Sequence, residues 1–139
     1  MASALVLGGA GFIGSNICRH LAARGFRVVA VDGLMPRTSG SAANLASATG
    51  DIELIAHRVE DVRSFADLLR GRDIVVDAMG CTSHWDAFED PEYDLALNLS
   101  SHPAVIRAMP IARPRRIVYL ASAHQYGRVS SEPIVGGFA

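Results

Sequence analysis

The sequence predicts an α/β fold, a doubly wound parallel sheet of about five strands with helices on both faces. Three observations predict it. Short apolar, β-branched runs alternate with segments of helical spacing, at about 20 to 30 residues per unit. Four glycines, Gly8, Gly9, Gly11 and Gly14, stand between the first such run and the first helical segment. The composition, 50% hydrophobic and 19% charged, is too apolar for a disordered chain and suits strands buried on both sides. At 139 residues, one domain over 1–139 is expected, with residues 128–139, which lack periodicity, as an incomplete continuation.

Taken in order, Ala4–Leu7 is an apolar strand that runs into the glycines, and Phe12–Arg24 carries helical spacing through Phe12, Ile13, Ile17 and Leu21. Gly25 stands where a helix ends, and Arg27–Val31 is a second strand stopped by Asp32-Gly33. Residues 34–50, rich in Ser, Ala, Gly and Thr, read as a loop with a short helix near 42–48. A third strand is expected over 52–56, a helix over 64–70 started by Ser64 or Asp61, and a fourth strand over 73–78. Pro91 opens a long amphipathic segment to about Met109, Asp86, Glu89 and Asp90 form an acidic loop and the start of the helix that follows, and Pro110 and Pro114 punctuate the chain ahead of a fifth strand over 116–121.

Charge and residue usage exclude several chemistries. A net charge of −1 leaves no footprint for nucleic acid or an anionic membrane. All 13 basic residues are Arg, which removes Schiff-base chemistry, the Gly-Lys-Ser/Thr phosphate loop and any Tyr-x-x-x-Lys pair. Cys18 and Cys81 form no disulfide framework, and the five histidines show no metal-ligand spacing, so a metal-free site in a cytoplasmic protein is expected. Residues 1–18 carry no charge, but glycines and polar residues interrupt them and no basic segment precedes them, which argues against a signal peptide or a membrane span.

The glycine cluster sits between strand and helix, where a dinucleotide fingerprint belongs. It can be registered as Gly9-x-Gly11-x-x-Gly14 or as Gly8-x-x-Gly11-x-x-Gly14. In either register one glycine makes the turn, Gly11 lets the backbone approach a pyrophosphate, and Gly14 lets the helix pack on the sheet. Asp32, 18 positions beyond Gly14, is spaced to meet the adenosine ribose hydroxyls and to repel a 2′-phosphate, which favours NAD over NADP. The same Asp-Gly pair also suits an ordinary turn. Arg37 is close enough in sequence to keep NADP open as the less favoured cofactor.

The run Leu7-Gly-Gly-Ala-Gly-Phe-Ile-Gly14, Asp32, Asp61-Val62, Ala78-Met79-Gly80, Asp90-Pro91, Asn98 and Ala121-Ser122-Ala-His-Gln-Tyr-Gly127 follow one another in an order that resembles the extended short-chain dehydrogenases/reductases. Within them the chain is similar to the NAD-dependent epimerase/dehydratase family. The resemblance runs from residue 3 to about residue 133 and covers the N-terminal half of the family pattern. It implies a Rossmann fold whose C-terminal part is absent here. It implies that Gly8, Gly11, Phe12, Ile13 and Gly14 hold the pyrophosphate, Asp32 the ribose, Asp61 and Val62 the adenine, and Ala78, Met79 and Gly80 the nicotinamide side. Asn98 supports the site, and Ser122 matches the catalytic serine or threonine.

In that family the serine bonds the reacting sugar oxygen while a Tyr-x-x-x-Lys tyrosine moves the proton. Here Tyr93, Tyr119 and Tyr126 are followed four residues later by Leu97, Ala123 and Ser130. The resemblance therefore implies the NAD-binding half of an oxidoreductase acting on a nucleotide sugar or related polyol. Its Tyr and Lys come from a missing C-terminal segment or a second polypeptide, and the isolated chain is expected to be inactive. It also implies a homo-oligomer joined through helices near residues 92–109. The alternative is a non-catalytic dinucleotide-binding sensor or scaffold subunit, and a flavin on the same loop is a third reading.

Overall fold

The computed structural model describes residues 1–62, 65–122 and 127. Side chains along a strand point alternately to opposite faces, so a strand with four consecutive fully buried residues must be covered on both sides. Strand β1 (Ser3–Leu7) is such a strand: Ala4, Leu5, Val6 and Leu7 are all inaccessible. Around it lie β2 (Arg27–Val31), β3 (Ile52–Ile55), β4 (Ile74–Asp77) and β5 (Ile117–Tyr119), in the order β3-β2-β1-β4-β5 with every pairing parallel. The predicted doubly wound parallel sheet is the fold observed.

The two faces divide the core by strand periodicity. Ala4, Val6, Val28, Ala30 and Val76 pack with Cys18 and Ala22 of α1 (Phe12–Ala23). Leu5, Leu7, Val29, Val31 and Val75 pack with Phe65 and Leu69 of α2 (Phe65–Leu69) and with Val105, Ala108 and Ala112. Each large side chain buried this way contributes about 1.5–3 kcal/mol. Burial pushes the Cys18 thiol up to about 12, so this cysteine is an inert core residue. On the α1 face, Val118 and Leu120 stay 37% exposed, since none of the described helices covers β5 there.

The structure corrects or refines several sequence expectations. The stretch near 42–48 forms a 3₁₀ turn over Ala42–Asn44 only. The acidic stretch is helical where a loop was expected, since α3 (His84–Glu89) starts on Ser83, whose hydroxyl accepts the Asp86 N–H at 3.2 Å, and Asp90 begins the next helix as expected. The long amphipathic segment is two helices, α4 (Pro91–Asn98) and α5 (His102–Ala112). Proline suits a first helical turn because it has no N–H to satisfy there, so Pro103 restarts the helix as Pro91 starts it. Pro110, expected to punctuate the chain, lies inside the final turn of α5, where its missing N–H removes only one hydrogen bond. Arg113 then ends that helix in the left-handed region, at φ 48°.

Candidate functional site

In an open parallel sheet, ligands bind beyond the carboxyl ends of the strands where the winding reverses. That point lies between β1, whose next strand β2 is on one side, and β4 on the other. A cavity of about 250 Å³ opens there. Its floor is Gly8, Gly11, Phe12, Ile13 and Gly14 after β1, Asp32 and Gly33 after β2, and Ala78, Met79 and Gly80 after β4.

The glycines are needed where they stand. Gly8 adopts φ +69°, and a Cβ on it would lie 2.8 Å from the Ala78 carbonyl oxygen. A Cβ on Gly14 would lie 2.0 Å from the Gly8 carbonyl oxygen, so α1 sits against the loop as no other residue allows. Gly9 packs on Ala30 instead, and it is Gly8, Gly11 and Gly14 that line the cavity. Helix α1 begins at Phe12 with no acidic residue in its first turn, leaving its positive end toward the cavity. The Phe12 N–H donates to Ser39 Oγ at 3.1 Å.

Asp32 ties the loops after β1 and β2 together. Its Oδ2 accepts the Ala10 N–H at 2.9 Å and its Oδ1 accepts the Leu34 N–H at 2.8 Å. A carboxylate has about four acceptor sites, so two remain for a ligand's hydroxyls. The opposite wall is Ala96 and Leu97 of α4 with Ser101. Arg58 also lines the cavity. It donates to the Ala96 carbonyl at 3.3 Å and pairs with Glu60. Burial works to raise the Glu60 pKa, but the Ser101 hydroxyl at 2.7 Å and Arg58 outweigh it and hold that carboxyl below its ordinary value.

Several residues singled out from the sequence stand just outside. Asp61 is exposed at the end of the 3₁₀ turn Val59–Asp61, and Val62 packs partly against the core; of that segment His57, Arg58 and Val59 line the cavity. Asn98 holds the turn after β4 from behind: its Oδ1 accepts the Cys81 N–H at 2.7 Å and its Nδ2 donates to the Cys81 carbonyl at 3.1 Å. Leu120 extends β5 by donating to the Asp77 carbonyl at 3.0 Å, which brings exposed Ser122 to the same end of the sheet as Ala78–Gly80. His124 and Tyr126 lie outside the described residues.

Sequence reasoning missed Met35, Thr38, Ser39 and Gly40, a second hydroxyl-bearing wall whose signal was the Thr-Ser-Gly run shortly after Asp32. It also missed the pair under the β4 turn. Asp77, 3% exposed, accepts the Met79 N–H at 3.1 Å and lies 3.5 Å from His102 Nε2, while His102 meets Tyr119 edge to face at 5.7 Å. Burial raises the Asp77 pKa, and the Met79 N–H and His102 oppose that rise.

Comparison with known proteins places this geometry among relatives. A family model, "NAD dependent epimerase/dehydratase family", matches residues 4–137. The chain is 29% identical to UDP-glucose 4-epimerase 4 of Oryza sativa subsp. japonica, over 96% of this chain and 38% of that protein. It is 30% identical to UDP-glucose 4-epimerase of Streptomyces lividans, over 94% and 39%. Among solved structures, UDP-glucose-4-epimerase from Stenotrophomonas maltophila, with bound NAD and formylated UDP-arabinopyranose, superimposes with a TM-score of 0.80 at 28% identity, over 96% of this chain and 41% of that one. The chain thus spans about two fifths of the length of the relatives it matches.

Proposed function

The chain belongs to the NAD-dependent epimerase/dehydratase family, and from that premise we propose that it is the NAD-binding half of an oxidoreductase acting on a nucleotide sugar or related polyol. The observation that carries this reading is the convergence of Gly8, Gly11, Gly14, Asp32 and Ala78–Gly80 on one cavity at the switch point of the sheet. The fit is specific, because side chains at Gly8 and Gly14 would collide with the backbone that shapes the cradle.

In this reading Phe12 and Ile13 at the start of α1 face the pyrophosphate, the Phe12 N–H exchanging its bond to Ser39 Oγ for one to the ligand, and Asp32 takes the adenosine ribose through its remaining acceptor sites. The turn that carries Asp61 and Val62 stands at the adenine end, and it offers the adenine His57, Arg58 and Val59 from just before that pair. Ala78, Met79 and Gly80 border the nicotinamide side, with Asn98 fixing their turn. When bound, the dinucleotide supplies hydride acceptance and donation. Ser122 hydrogen-bonds the reacting sugar oxygen, and a Tyr with its Lys from outside this chain transfers the proton. NAD is preferred to NADP because the carboxylate of Asp32 repels a 2′-phosphate. Homo-oligomerisation through α4 and α5 belongs to the same proposal, supported by the exposure of Leu95 in α4, Leu99 just after it, and Ile106 and Ile111 in α5.

Calorimetric titration of the purified chain is expected to show saturable binding of NAD and no hydride transfer with UDP-glucose. Failure to bind either NAD or NADP, or turnover by the chain alone, overturns the proposal. The absence of Lys from the sequence favours a second reading, a non-catalytic sensor or scaffold subunit. Replacing Ser122 by Ala separates the two. Binding survives in both, and activity of the completed assembly is lost only if the chain is half of an enzyme.

A further inference from the structure

Five residues beyond Asp32 stands Arg37, at the place from which an arginine accommodates the 2′-phosphate of NADP when it faces the cofactor. Here it is turned away. Met35, Thr38 and Ser39 on either side of it line the cavity, and Arg37 is not among the lining residues. Its backbone takes φ 59°, and its guanidinium is held by three side chains from α3, α4 and the residue between them, none of which lines the cavity. Nη2 donates to Asp90 Oδ2 at 2.9 Å, Nη1 is 3.9 Å from Asp86 Oδ1, and the guanidinium carbon lies 4.1 Å from the centre of the Tyr93 ring.

The clasp is braced at both ends. Asp90 caps α4, its Oδ1 accepting the Tyr93 N–H at 3.0 Å, and the Tyr93 hydroxyl donates to the carbonyl of Pro36. The hydrogen bond from Arg37, before any other cause, holds the Asp90 carboxyl below its ordinary value, so the clasp stays ionised at neutral pH. The other arginine near Asp32, Arg58, is occupied by Glu60 and the Ala96 carbonyl.

We propose that Arg37 determines cofactor specificity by being withheld. Asp86, Asp90 and Tyr93 keep its guanidinium off the cleft, so that a 2′-phosphate meets the carboxylate of Asp32 and gains no new cation. This inference rests on the dinucleotide reading above and names the residues that set its NAD preference.

The experiment is a comparison of NAD and NADP dissociation constants by calorimetry. The chain is expected to bind NAD more tightly, and Arg37→Ala to leave the NADP/NAD ratio unchanged. In the double variant Asp86→Asn/Asp90→Asn, which keeps a side chain able to cap α4, the freed guanidinium is expected to improve NADP binding by about tenfold relative to NAD, the scale of one charge-assisted hydrogen bond. Adding Arg37→Ala to that pair abolishes the gain. Asp90→Asn alone, a milder change, gives a smaller gain in the same direction if the double variant does not fold. The proposal is overturned by a folded double variant or Asp90→Asn with an unaltered ratio, by a gain that survives the loss of Arg37, or by a selective loss of NADP binding in Arg37→Ala alone. A chain that binds neither dinucleotide fails the dinucleotide reading itself, and the inference with it; binding of NAD with an unaltered ratio fails the inference only.

Discussion

The carboxylate of Asp32 accepts the N–H of Ala10 at 2.9 Å, joining the glycine-rich loop to the end of β2 across 22 residues of sequence. Because its other oxygen accepts from Leu34, one side chain shapes both loops that border the cleft. Hydrogen bonds to a charged acceptor contribute about 1.5–3 kcal/mol each when buried, and less at this half-buried position. Asp32→Ala is therefore expected to lower unfolding free energy by about 1–3 kcal/mol and to abolish NAD binding. Asp32→Asn keeps an amide oxygen for one of the two bonds and is expected to lose affinity with a smaller loss of stability. Urea unfolding and calorimetry on both variants check the split, and equal stability of Asp32→Ala and the parent chain would refute the bridging role.

Two glycines with different surroundings predict different costs. A Cβ at Gly14 would meet the Gly8 carbonyl oxygen at 2.0 Å, and relief of that overlap must move backbone. Gly14→Ala is expected to cost about 3 kcal/mol or more. At Gly71, φ is +69° but nothing lies within 4 Å of the added atom, so only conformational strain is paid, about 1 kcal/mol. Urea midpoints of the two variants should differ clearly in that order. If Gly71→Ala proves the more damaging, crowding at the glycine loop is not what fixes Gly14.

Asn98 brackets the backbone of Cys81 with one accepted and one donated hydrogen bond, and it also donates to Asp94 Oδ1 at 2.8 Å. Asn98→Ala leaves that N–H and carbonyl without partners, an expected loss of about 1–3 kcal/mol. NAD affinity should fall too, because the turn beginning at Ala78 loses its support. Faster amide hydrogen exchange at Met79 through Thr82 would confirm that route. Unchanged exchange there would leave Asn98 without a role in the turn.

How far these features were legible follows from where their causes lie. The strands, the glycine loop and the position of Asp32 are local chemistry, set by β-branched runs, forbidden Cβ positions and strand ends, and each was readable. The division of the amphipathic segment into two helices was also written in the sequence, at Pro103, but the apolar pattern runs on through it. The wall formed by Arg58, Val59, Ala96 and Leu97 was not readable, because tertiary packing alone brings α4 over the ends of β2 and β3. Asp61 and Val62 show the converse. Their motif marks the right turn, but the 3₁₀ geometry of Val59–Asp61 presents the residues before them to the cavity. Arg37 was readable as a nearby cation, and its partners Asp86, Asp90 and Tyr93, some 50 residues away, decide which way it faces.

The Asp77–His102 pair gives a pH prediction whose sign is fixed. Burial is the largest cause and raises the Asp77 pKa above its ordinary 3.8, although the Met79 N–H and His102 pull it back. A carboxyl with a raised folded pKa contributes stability that is full below the unfolded pKa and is lost as pH rises through the folded value. Glu60, Asp73 and Asp90 are shifted the other way, and their contributions are present above the unfolded pKa and lost as pH falls. Three lowered carboxyls set the trend of the whole protein, so the Asp77 effect must be read as a difference. Asp77→Asn retains an oxygen for the Met79 N–H and removes the buried charge. Its unfolding free energy minus that of the parent chain is expected to rise from pH 3.5 upward and then level off. In His102→Gln the opposing pull of His102 is gone, so the Asp77 pKa rises further and the same difference reaches its plateau at higher pH. Urea unfolding at a series of pH values measures both curves, and a flat or descending difference would show that burial does not govern Asp77.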